Sequence, residues 1–308
     1  MSKIFRISSL ICLGTMLILS SIANASGVLY AVNRTGDRNN VNLPSTLYSI
    51  DKVTGKFTTI GSVGFSVTDL AWDQTRGILY GASSFRDSNY SGLIQINTKT
   101  GSGIAIGTNN WGIGNPEMNM SHIAVDSAGN LYGAPSKITE YNLVGINVNT
   151  GVATGVGAKI VDIPAGILGT ASFHGGKSTL FFDASDTLWV KSFNDDLYTV
   201  DVTTGISSAG INESTFEFTG GIGAIVPGKH GVYDTDTNSY WTALGGTYIN
   251  KYNMGTGISD TLTLTNPPPV GARGFSLAIA PVPVPASVWL FLSGFMGLFS
   301  IGNRKLRA

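Results

Sequence analysis

The side chains that could perform chemistry are few in this sequence, and they do not stand at catalytic spacings. The three histidines, His122, His174 and His230, lie far apart, so no pair has the short spacing of a zinc ligand set. The Gly-x-Ser-x-Gly pattern of a nucleophile elbow is absent. The single cysteine, Cys12, lies in an N-terminal apolar segment, which excludes disulfide frameworks, iron–sulfur ligation and thiol catalysis elsewhere. We therefore expect no catalytic residue, no metal ligand and no cofactor.

Carboxylates are the remaining candidates for acid–base or metal chemistry. Glutamate occurs at only four positions, so a paired-carboxylate glycosidase would have to use aspartates, most of which recur in repeated turns. The segment Asp234-x-Asp236-x-Asn238 copies the opening of a calcium loop. Ser239 and Gly245 replace the glycine and glutamate that such a loop needs at its sixth and twelfth positions. We expect a hairpin turn there rather than a calcium site.

The composition describes a weakly charged chain with enough apolar residues for a core. Of 308 residues, 40 are glycine and only 12% are charged, whereas about 25% is usual for soluble domains. The hydrophobic share of 43% argues against disorder. Residues 26–303 hold 14 basic and 19 acidic side chains, a net charge of −5. This balance argues against nucleic acid or anionic lipid as a partner.

One short pattern, Asp/Asn-x-x-Thr-Gly, occurs five times and organises the middle of the chain. The spacings between successive copies are 46, 50, 54 and 52 residues. In such a turn the first side chain can accept backbone N–H bonds, and the glycine supplies the positive φ that closes a hairpin. The copies begin at Asp51, Asn97, Asn147, Asp201 and Asn253, and end at Gly55, Gly101, Gly151, Gly205 and Gly257.

Strand patterns surround each copy of the turn. Apolar residues alternate before it, as at Tyr48 and Ile50, which indicates a strand packed on one face. A second hairpin precedes the first, as at 70–80 and 123–132. Each unit of about 50 residues then holds four antiparallel strands, which is the blade of a β-propeller.

The two ends of the repeat region complete one another. Residues 28–30 match a second strand with no first strand before it, and residues 277–280 match the missing first strand. We predict an all-β, five-bladed propeller over residues 26–280, with the C-terminal strand closing the first blade. A solenoid, a β-sandwich, or a sixth degenerate blade within 156–180 are the alternatives.

The blade sequences resemble NHL-type secreted β-propellers. The likeness rests on Asp126 to Tyr132 and its counterparts, where Leu-Tyr follows a turn that contains aspartate. It implies the propeller fold and no particular activity, because propellers serve hydrolases, lyases, lectins and scaffolds alike.

The predicted topology gathers the longer connections at one face of the propeller, where function usually lies. Aromatic rings beside arginine suit stacking on sugars, so we select Arg86, Tyr90, Trp111, His174 and Arg273 as ligand-binding candidates. Solvated loops with rings packed on blade edges are the alternative. Trp72, Trp189 and Trp241 are instead expected between blades. The longer connections are 34–46, 83–92, 108–120, 135–142, 156–178, 211–220 and 264–273.

The first 25 residues have the layout of a secretory signal peptide. Lys3 and Arg6 precede an apolar run over 10–22, and Ala23-Asn24-Ala25 fits the small-x-small rule for cleavage. We expect export with cleavage after Ala25.

The C-terminal residues 281–308 predict a membrane anchor. A proline-rich stretch over 281–285 precedes an apolar run over 286–302, and Arg304, Lys305 and Arg307 follow. Seventeen helical residues reach the short end of the membrane-spanning range, and the basic cluster is expected to stay in the cytoplasm.

This three-part tail resembles the PEP-CTERM family of sorting signals. Val282, Pro283, Val284 and Pro285 stand where that family most often has Val-Pro-Glu-Pro, and Ala286 follows as in its Val-Pro-Leu-Pro-Ala variant. The resemblance implies processing by an exosortase-type sorting transpeptidase, in bacteria that export exopolysaccharide. It covers the tail alone.

Together these features favour an exported, surface-sorted and non-enzymatic propeller that binds exopolysaccharide or a matrix protein through its long-loop face. A metal-dependent extracellular enzyme, such as a lyase or lactonase, is the competing hypothesis. A purely structural surface component is the third.

Overall fold

The structure is a computed structural model of the chain. It describes residues 27–33, 43–83, 90–112, 120–135, 143–157, 179–191, 196–206, 211–212, 231–244, 247–268 and 275–281. The chain divides into Gly27–Ala280 and a second unit formed by Met1–Ser26 with Pro281–Ala308. The predicted signal peptide, proline motif, anchor helix and basic end therefore lie outside the described residues, apart from Pro281.

The described residues contain twenty β-strands, which form five four-stranded antiparallel sheets, so the predicted five-bladed propeller is confirmed. Blade 1 contains β20, β1, β2 and β3 in that order, and blades 2 to 5 contain β4–β7, β8–β11, β12–β15 and β16–β19. The strands are β1 Val28–Asn33, β2 Thr46–Ile50, β3 Phe57–Ser62, β4 Val67–Asp73, β5 Ile78–Ser83, β6 Leu93–Ile96, β7 Gly103–Ile106, β8 Met120–Val125, β9 Leu131–Pro135, β10 Val144–Ile146, β11 Ala153–Gly155, β12 Thr179–Phe182, β13 Leu188–Lys191, β14 Asp196–Val200, β15 Ile211–Asn212, β16 Gly231–Asp234, β17 Ser239–Leu244, β18 Tyr248–Asn253, β19 Ser259–Thr263 and β20 Phe275–Ala280.

The last strand closes the first blade, as the sequence predicts. β20 pairs with β1 over six residues, from Val28 opposite Ala280 to Asn33 opposite Phe275. The first strands of the five blades then contact one another in a ring, in the order β20, β4, β8, β12, β16 and back to β20. The propeller axis therefore runs through these five inner strands.

An aromatic residue recurs at the same place in the second strand of every blade. In three blades it lies opposite an alanine of the inner strand, as Tyr80 does with Ala71. The small alanine leaves room for the ring to reach the next blade, where Tyr132 of blade 3 contacts Phe182 of blade 4 with ring centroids 5.5 Å apart. The five residues are Tyr30, Tyr80, Tyr132, Trp189 and Trp241.

The three tryptophans predicted to lie between blades do so to different degrees. Trp241 is 3% exposed within the cluster that joins blades 5 and 1. Trp72 and Trp189 are half-buried. The Trp72 ring stacks on Tyr30 of blade 1, with a centroid separation of 6.2 Å.

The five Asp/Asn-x-x-Thr-Gly segments form the same turn. In the first, Asp51 Oδ1 accepts the N–H groups of Val53 and Thr54 at 2.9 and 2.7 Å. The Gly55 N–H donates to the Asp51 carbonyl at 2.9 Å, with Gly55 at φ +67°. The same bonds recur in the other four copies.

In four of the five copies, at Gly55, Gly101, Gly151 and Gly205, the glycine of this turn also lies against the preceding blade, whereas among the described residues Gly257 has no such neighbour. A Cβ added to Gly55 would stand 2.0 Å from the carbonyl oxygen of Thr263 in blade 5, and one on Gly151 would stand 2.3 Å from that of Ile106 in blade 2. The Gly55 carbonyl accepts the Thr265 N–H at 2.9 Å, which fastens blade 1 to blade 5. In those four copies the glycine is therefore required twice, for its positive φ and for the close approach of two backbones.

We predict that Gly151→Ala destabilises the propeller more than Gly77→Ala. Both glycines have positive φ, at +68° and +66°, so both variants carry the conformational cost of a left-handed alanine, about 1–2 kcal/mol. Only at Gly151 does the new methyl group meet backbone of a neighbouring blade, because Gly77 has nothing within 4 Å among the described residues. The clash should add about 1–3 kcal/mol to the loss of unfolding free energy, measured in urea. Equal losses for the two variants would show that the blades do not meet as described.

A second prediction concerns acid stability. Backbone N–H bonds from Thr54 and Val53 lower the pKa of Asp51 below its ordinary value of 3.8, and bonds from Thr204 and Thr203 lower that of Asp201. A carboxyl group whose pKa is lower in the folded than in the unfolded protein stabilises the fold above its ordinary pKa. That contribution is lost as the pH falls through the folded-state pKa.

Asparagine occupies the same position in the other three turns, so a double variant Asp51→Asn, Asp201→Asn should keep the fold. We expect its unfolding free energy to fall less steeply than that of the wild type below pH 3.8. Urea melts across the acid range test this, and parallel profiles would exclude a contribution from the two carboxylates.

Candidate functional site

Two of the five ligand-binding residues predicted from the sequence, Tyr90 and Trp111, lie in the described part of the chain. Arg86, His174 and Arg273 lie outside the described residues. Tyr90 and Trp111 are described, and both lie in the hydrophobic core, with 8% and 0% of their surface exposed. The prediction that these two rings are displayed on the loop face is therefore wrong.

Tyr90 is fixed by its hydroxyl group as well as by its ring. The hydroxyl lies 2.7 Å from the carbonyl oxygen of Ile106 and 3.0 Å from that of Leu93, and it donates to this pair. The ring meets Phe65 edge-on at 5.7 Å. Burial raises the pKa of the Tyr90 hydroxyl above its ordinary value. Its role is to attach the connection between β5 and β6 to blade 2.

Trp111 turns back into the core through a left-handed backbone. It lies in a 3₁₀ turn over Asn109–Gly112, in which Asn110 and Trp111 have φ values of 62° and 56°. The indole packs among residues of blades 2 and 3, and its Nε1 has no hydrogen-bond partner among the described residues. The tryptophan therefore fills the gap between blades instead of covering it.

Polar side chains gather instead at the start of the inner strands. In the aligned blades, the residue four positions before the Asp or Ala that ends or follows the inner strand is polar every time. This recurrence is a signal in the sequence, although it matches no catalytic motif. Each inner strand follows the connection from the preceding blade, and successive strands within a blade alternate in direction. The ends of the longer connections therefore meet the strands at this end of the axis. The aligned residues are Asp69, His122, Thr179, His230 and Ser276, of which His230 lies outside the described part of the chain.

Asp69 joins three blades through one carboxylate. Its Oδ1 accepts the Ser276 hydroxyl of blade 1 at 2.5 Å, and its Oδ2 accepts the Ile123 N–H of blade 3 at 2.9 Å. Ser276 Oγ in turn accepts the Leu70 N–H at 3.1 Å. Nδ1 of His122 lies 3.5 Å from the same Oδ2. A single buried carboxylate thus satisfies donors of both neighbouring blades.

Backbone irregularities position these groups. The pairing of β4 with β5 shifts register between Val67 and Asp69, and that of β8 with β9 shifts between Met120 and His122. Such bulges redirect side chains, and they recur next to functional sites. Here the hydroxyl of the bulge residue Thr68 lies at hydrogen-bond distance, 2.9 Å, from the carbonyl oxygen of Met120 in blade 3.

Threonine replaces the carboxylate on the far side of the ring. The Thr179 hydroxyl donates to the Gly231 carbonyl at 2.9 Å and accepts the Gly231 N–H at 3.1 Å, which joins blades 4 and 5.

The His122–Asp69 pair has the composition of a general base with its orienting carboxylate. His122 is only 1% exposed and Asp69 only 4%. Both groups are buried in this structure, an environment suited to holding blades together.

A metal centre is not evident in the part of the chain that the structure describes. No group of three His, Cys, Asp or Glu side chains comes together among those residues. In the calcium-like segment, Asp234 Oδ2 pairs with Lys52 Nζ of blade 1 at 2.7 Å and accepts the Thr237 hydroxyl at 2.9 Å. The lysine therefore occupies the position of a cation beside this carboxylate, and it also lies over the Trp241 ring at 5.5 Å.

The described residues contain no helix that is both long and apolar enough to span a membrane.

The architecture defines the class of protein, a five-bladed β-propeller. No protein-family model and no curated protein matches its sequence. TolB from Acinetobacter baumannii is similar in fold, with 15% identity and a TM-score of 0.46 over 79% of this chain and 54% of that chain. A protein of unknown function from Bacteroides thetaiotaomicron VPI-5482 shows 14% identity and a TM-score of 0.45, over 76% of this chain and 64% of that one.

The extracellular domain of a putative one-component system from B. thetaiotaomicron shows 9% identity and a TM-score of 0.37, over 72% of this chain and 30% of that one. The chain spans less than two thirds of the length of each of these three proteins. At these values the likeness concerns the fold and says nothing of ligand or activity.

We predict that Asp69→Ala lowers the free energy of unfolding by about 2–4 kcal/mol, because buried donors of blades 1 and 3 lose their acceptor. Asp69→Asn keeps one acceptor oxygen and should lose less. Asp236→Ala, in an exposed turn, should stay within about 0.5 kcal/mol of the wild type. Urea unfolding measures all three, and a loss at Asp69 no larger than at Asp236 would contradict the bridging role.

Proposed function

We propose that the protein is an exported, non-enzymatic β-propeller that binds an exopolysaccharide or a matrix protein through its long-loop face. Its export signal and its sorting tail, with Val282, Pro283, Val284, Pro285, Arg304, Lys305 and Arg307 as the recognised residues, support delivery to the cell surface by an exosortase-type transpeptidase. Until it is processed, the tail helix anchors the protein in the inner membrane.

One observation carries the non-enzymatic part of the proposal. Among the described residues, Asp69 and Thr179 at the loop-face end of the axis are bonded to neighbouring blades: Asp69 to Ser276 and the Ile123 N–H, and Thr179 to the Gly231 carbonyl. Catalytic groups need access to the substrate and a perturbed environment that serves its chemistry. Because these side chains are buried and bonded to neighbouring blades, we assign ligand binding to the loops and no catalytic role to the axis.

A metal-dependent enzyme, such as a lyase or lactonase, is the second candidate. The observation in its favour is the His122–Asp69 pair, with 3.5 Å between Nδ1 and Oδ2, at the end of the axis where the loops enter. Metal analysis of the purified protein separates the candidates. Bound calcium or zinc, together with activity lost in chelator and in His122→Ala, would favour the enzyme.

We predict that Arg86→Ala, His174→Ala and Arg273→Ala each weaken polysaccharide binding about tenfold, a loss of ~1.4 kcal/mol per variant. Lys99→Ala is the control, because Lys99 is exposed in a tight turn at the opposite face. The measurement is the thermal unfolding of the protein with a panel of bacterial polysaccharides, since a ligand at 100 times its Kd adds about 2.7 kcal/mol.

Binding that all three loop-face variants retain would remove the long-loop site. No stabilisation by any polysaccharide or matrix protein would instead favour a purely structural surface component. Melts without ligand show whether a variant acts on the fold rather than on binding.

A further inference from the structure

The surface of blade 3 carries an open groove, lined by both polar and apolar groups, on the face of the propeller opposite the long loops. It lies between the two tight turns of that blade, and its volume of about 420 Å³ falls within the range of small-molecule sites. Strands β9, β10 and β11 form its floor, and Arg76 of blade 2 stands at its edge. The lining residues with polar side chains include Arg76, Asn130, Tyr132, Asn149 and Thr154.

The groove is open because strand β10 has a glycine at its centre. Gly145 pairs with Tyr132 on one side and with Thr154 on the other, so these three residues share one face of the blade. The equivalent residue of every other blade has a side chain. These residues are Ser49, Gln95, Thr199 and Lys251.

The fold gives no reason for this glycine. Its φ is not in the left-handed region, and within the described part of the chain an added Cβ would meet nothing nearer than Val156 Cγ2, at 3.9 Å. By contrast, a Cβ on Gly133 would collide with Met120 Sδ at 2.5 Å, so that glycine is required by packing. A glycine inside a strand costs stability, and it often marks a bulge, a tight bend, or the close approach of a ligand or another backbone. The pairings of Gly145 have no register shift, and no backbone of the described residues lies within 4 Å of an added Cβ, so a ligand is the alternative that remains.

The charges around the groove select against an anion. Asp73 Oδ2 accepts from Arg76 Nη1 at 2.6 Å, which balances the single cation at the edge. Asp126 and Asp186 contribute negative charge near the Tyr132 hydroxyl, whose pKa is raised mainly by burial and further by these two carboxylates. The hydroxyl therefore stays protonated, and the groove presents neutral donors and acceptors in a slightly negative field.

We propose that this groove binds a neutral saccharide unit above Gly145, and that the hydroxyl groups of the sugar bond to Tyr132, Asn149 and Thr154. The amide of Asn130 is held at the rim, because its Nδ2 donates to Asp126 Oδ2 at 2.8 Å. The Arg76 guanidinium is fixed by Asp73 and by the Gly129 carbonyl, to which Nη1 donates at 2.7 Å. The site is independent of the long-loop site proposed above and lies on the opposite face.

The test is Gly145→Gln, which places in blade 3 the side chain that blade 2 accepts at Gln95. The fold should keep its stability, since glycine is replaced within a strand and the space is open. Binding of neutral tetrasaccharides (maltotetraose, cellotetraose and mannotetraose), followed by saturation-transfer NMR and calorimetry on the full exported chain, should weaken at least about tenfold. Ser49→Gln, at the same place in blade 1, is the matched control and should bind as the wild type does.

Several results would overturn the proposal that the groove binds a saccharide. It fails if none of the three neutral sugars binds, if Gly145→Gln binds as well as the wild type, or if oligogalacturonate binds better than the neutral probes. Binding that is lost in Arg86→Ala or Arg273→Ala but kept in Gly145→Gln would leave the long-loop site standing and remove the groove. The reverse pattern would keep the groove and remove the long-loop site.

Discussion

The ladder between β20 and β1 is the contact on which the propeller depends. It joins the two ends of the folded unit over six residue pairs. Blades 1 and 5 each gain a second neighbour only when the ring is closed, and the contacts between them, such as Thr265 N–H to the Gly55 carbonyl, depend on this closure. The entropy cost of closing a loop rises slowly with its length, so one short ladder can close a ring of this size when every interface gains by it.

The repeated turn shows how far a sequence can predict such a fold. Hairpins depend on local patterns, and the aspartate or asparagine, the threonine and the glycine are all visible in the sequence. The second role of the glycine is a contact with a blade 40 to 49 residues earlier in the chain for Gly101, Gly151 and Gly205, and with a blade at the other end for Gly55. No local pattern reports that distance, so the fold was predictable while the reason for the exact conservation of glycine within the repeat was not.

The candidate site was predicted less well, for a physical reason. Tyr90 and Trp111 were selected because they lie in long connections, and such connections are usually exposed. A left-handed turn at Asn110 and Trp111 folds the indole back between blades, and a hydroxyl bonded to Ile106 holds Tyr90 down. Asp69 was overlooked because it has no catalytic neighbour in the sequence. Its partners become adjacent only when blades 1, 2 and 3 pack around the axis.

The use of carboxylates explains which chemistry is left for ligands. Asp51 and Asp201 hold outer turns, Asp73 and Asp183 hold inner turns, and Asp69 spans three blades. Burial alone would raise the pKa of Asp73, yet hydrogen bonds from Thr75 and Arg76 outweigh it and leave that pKa below its ordinary value. Aspartates so occupied are not available to bind a metal or to transfer a proton. In a chain with only 12% charged residues, the ligand binding that we propose therefore uses amides, hydroxyls, rings and a few arginines.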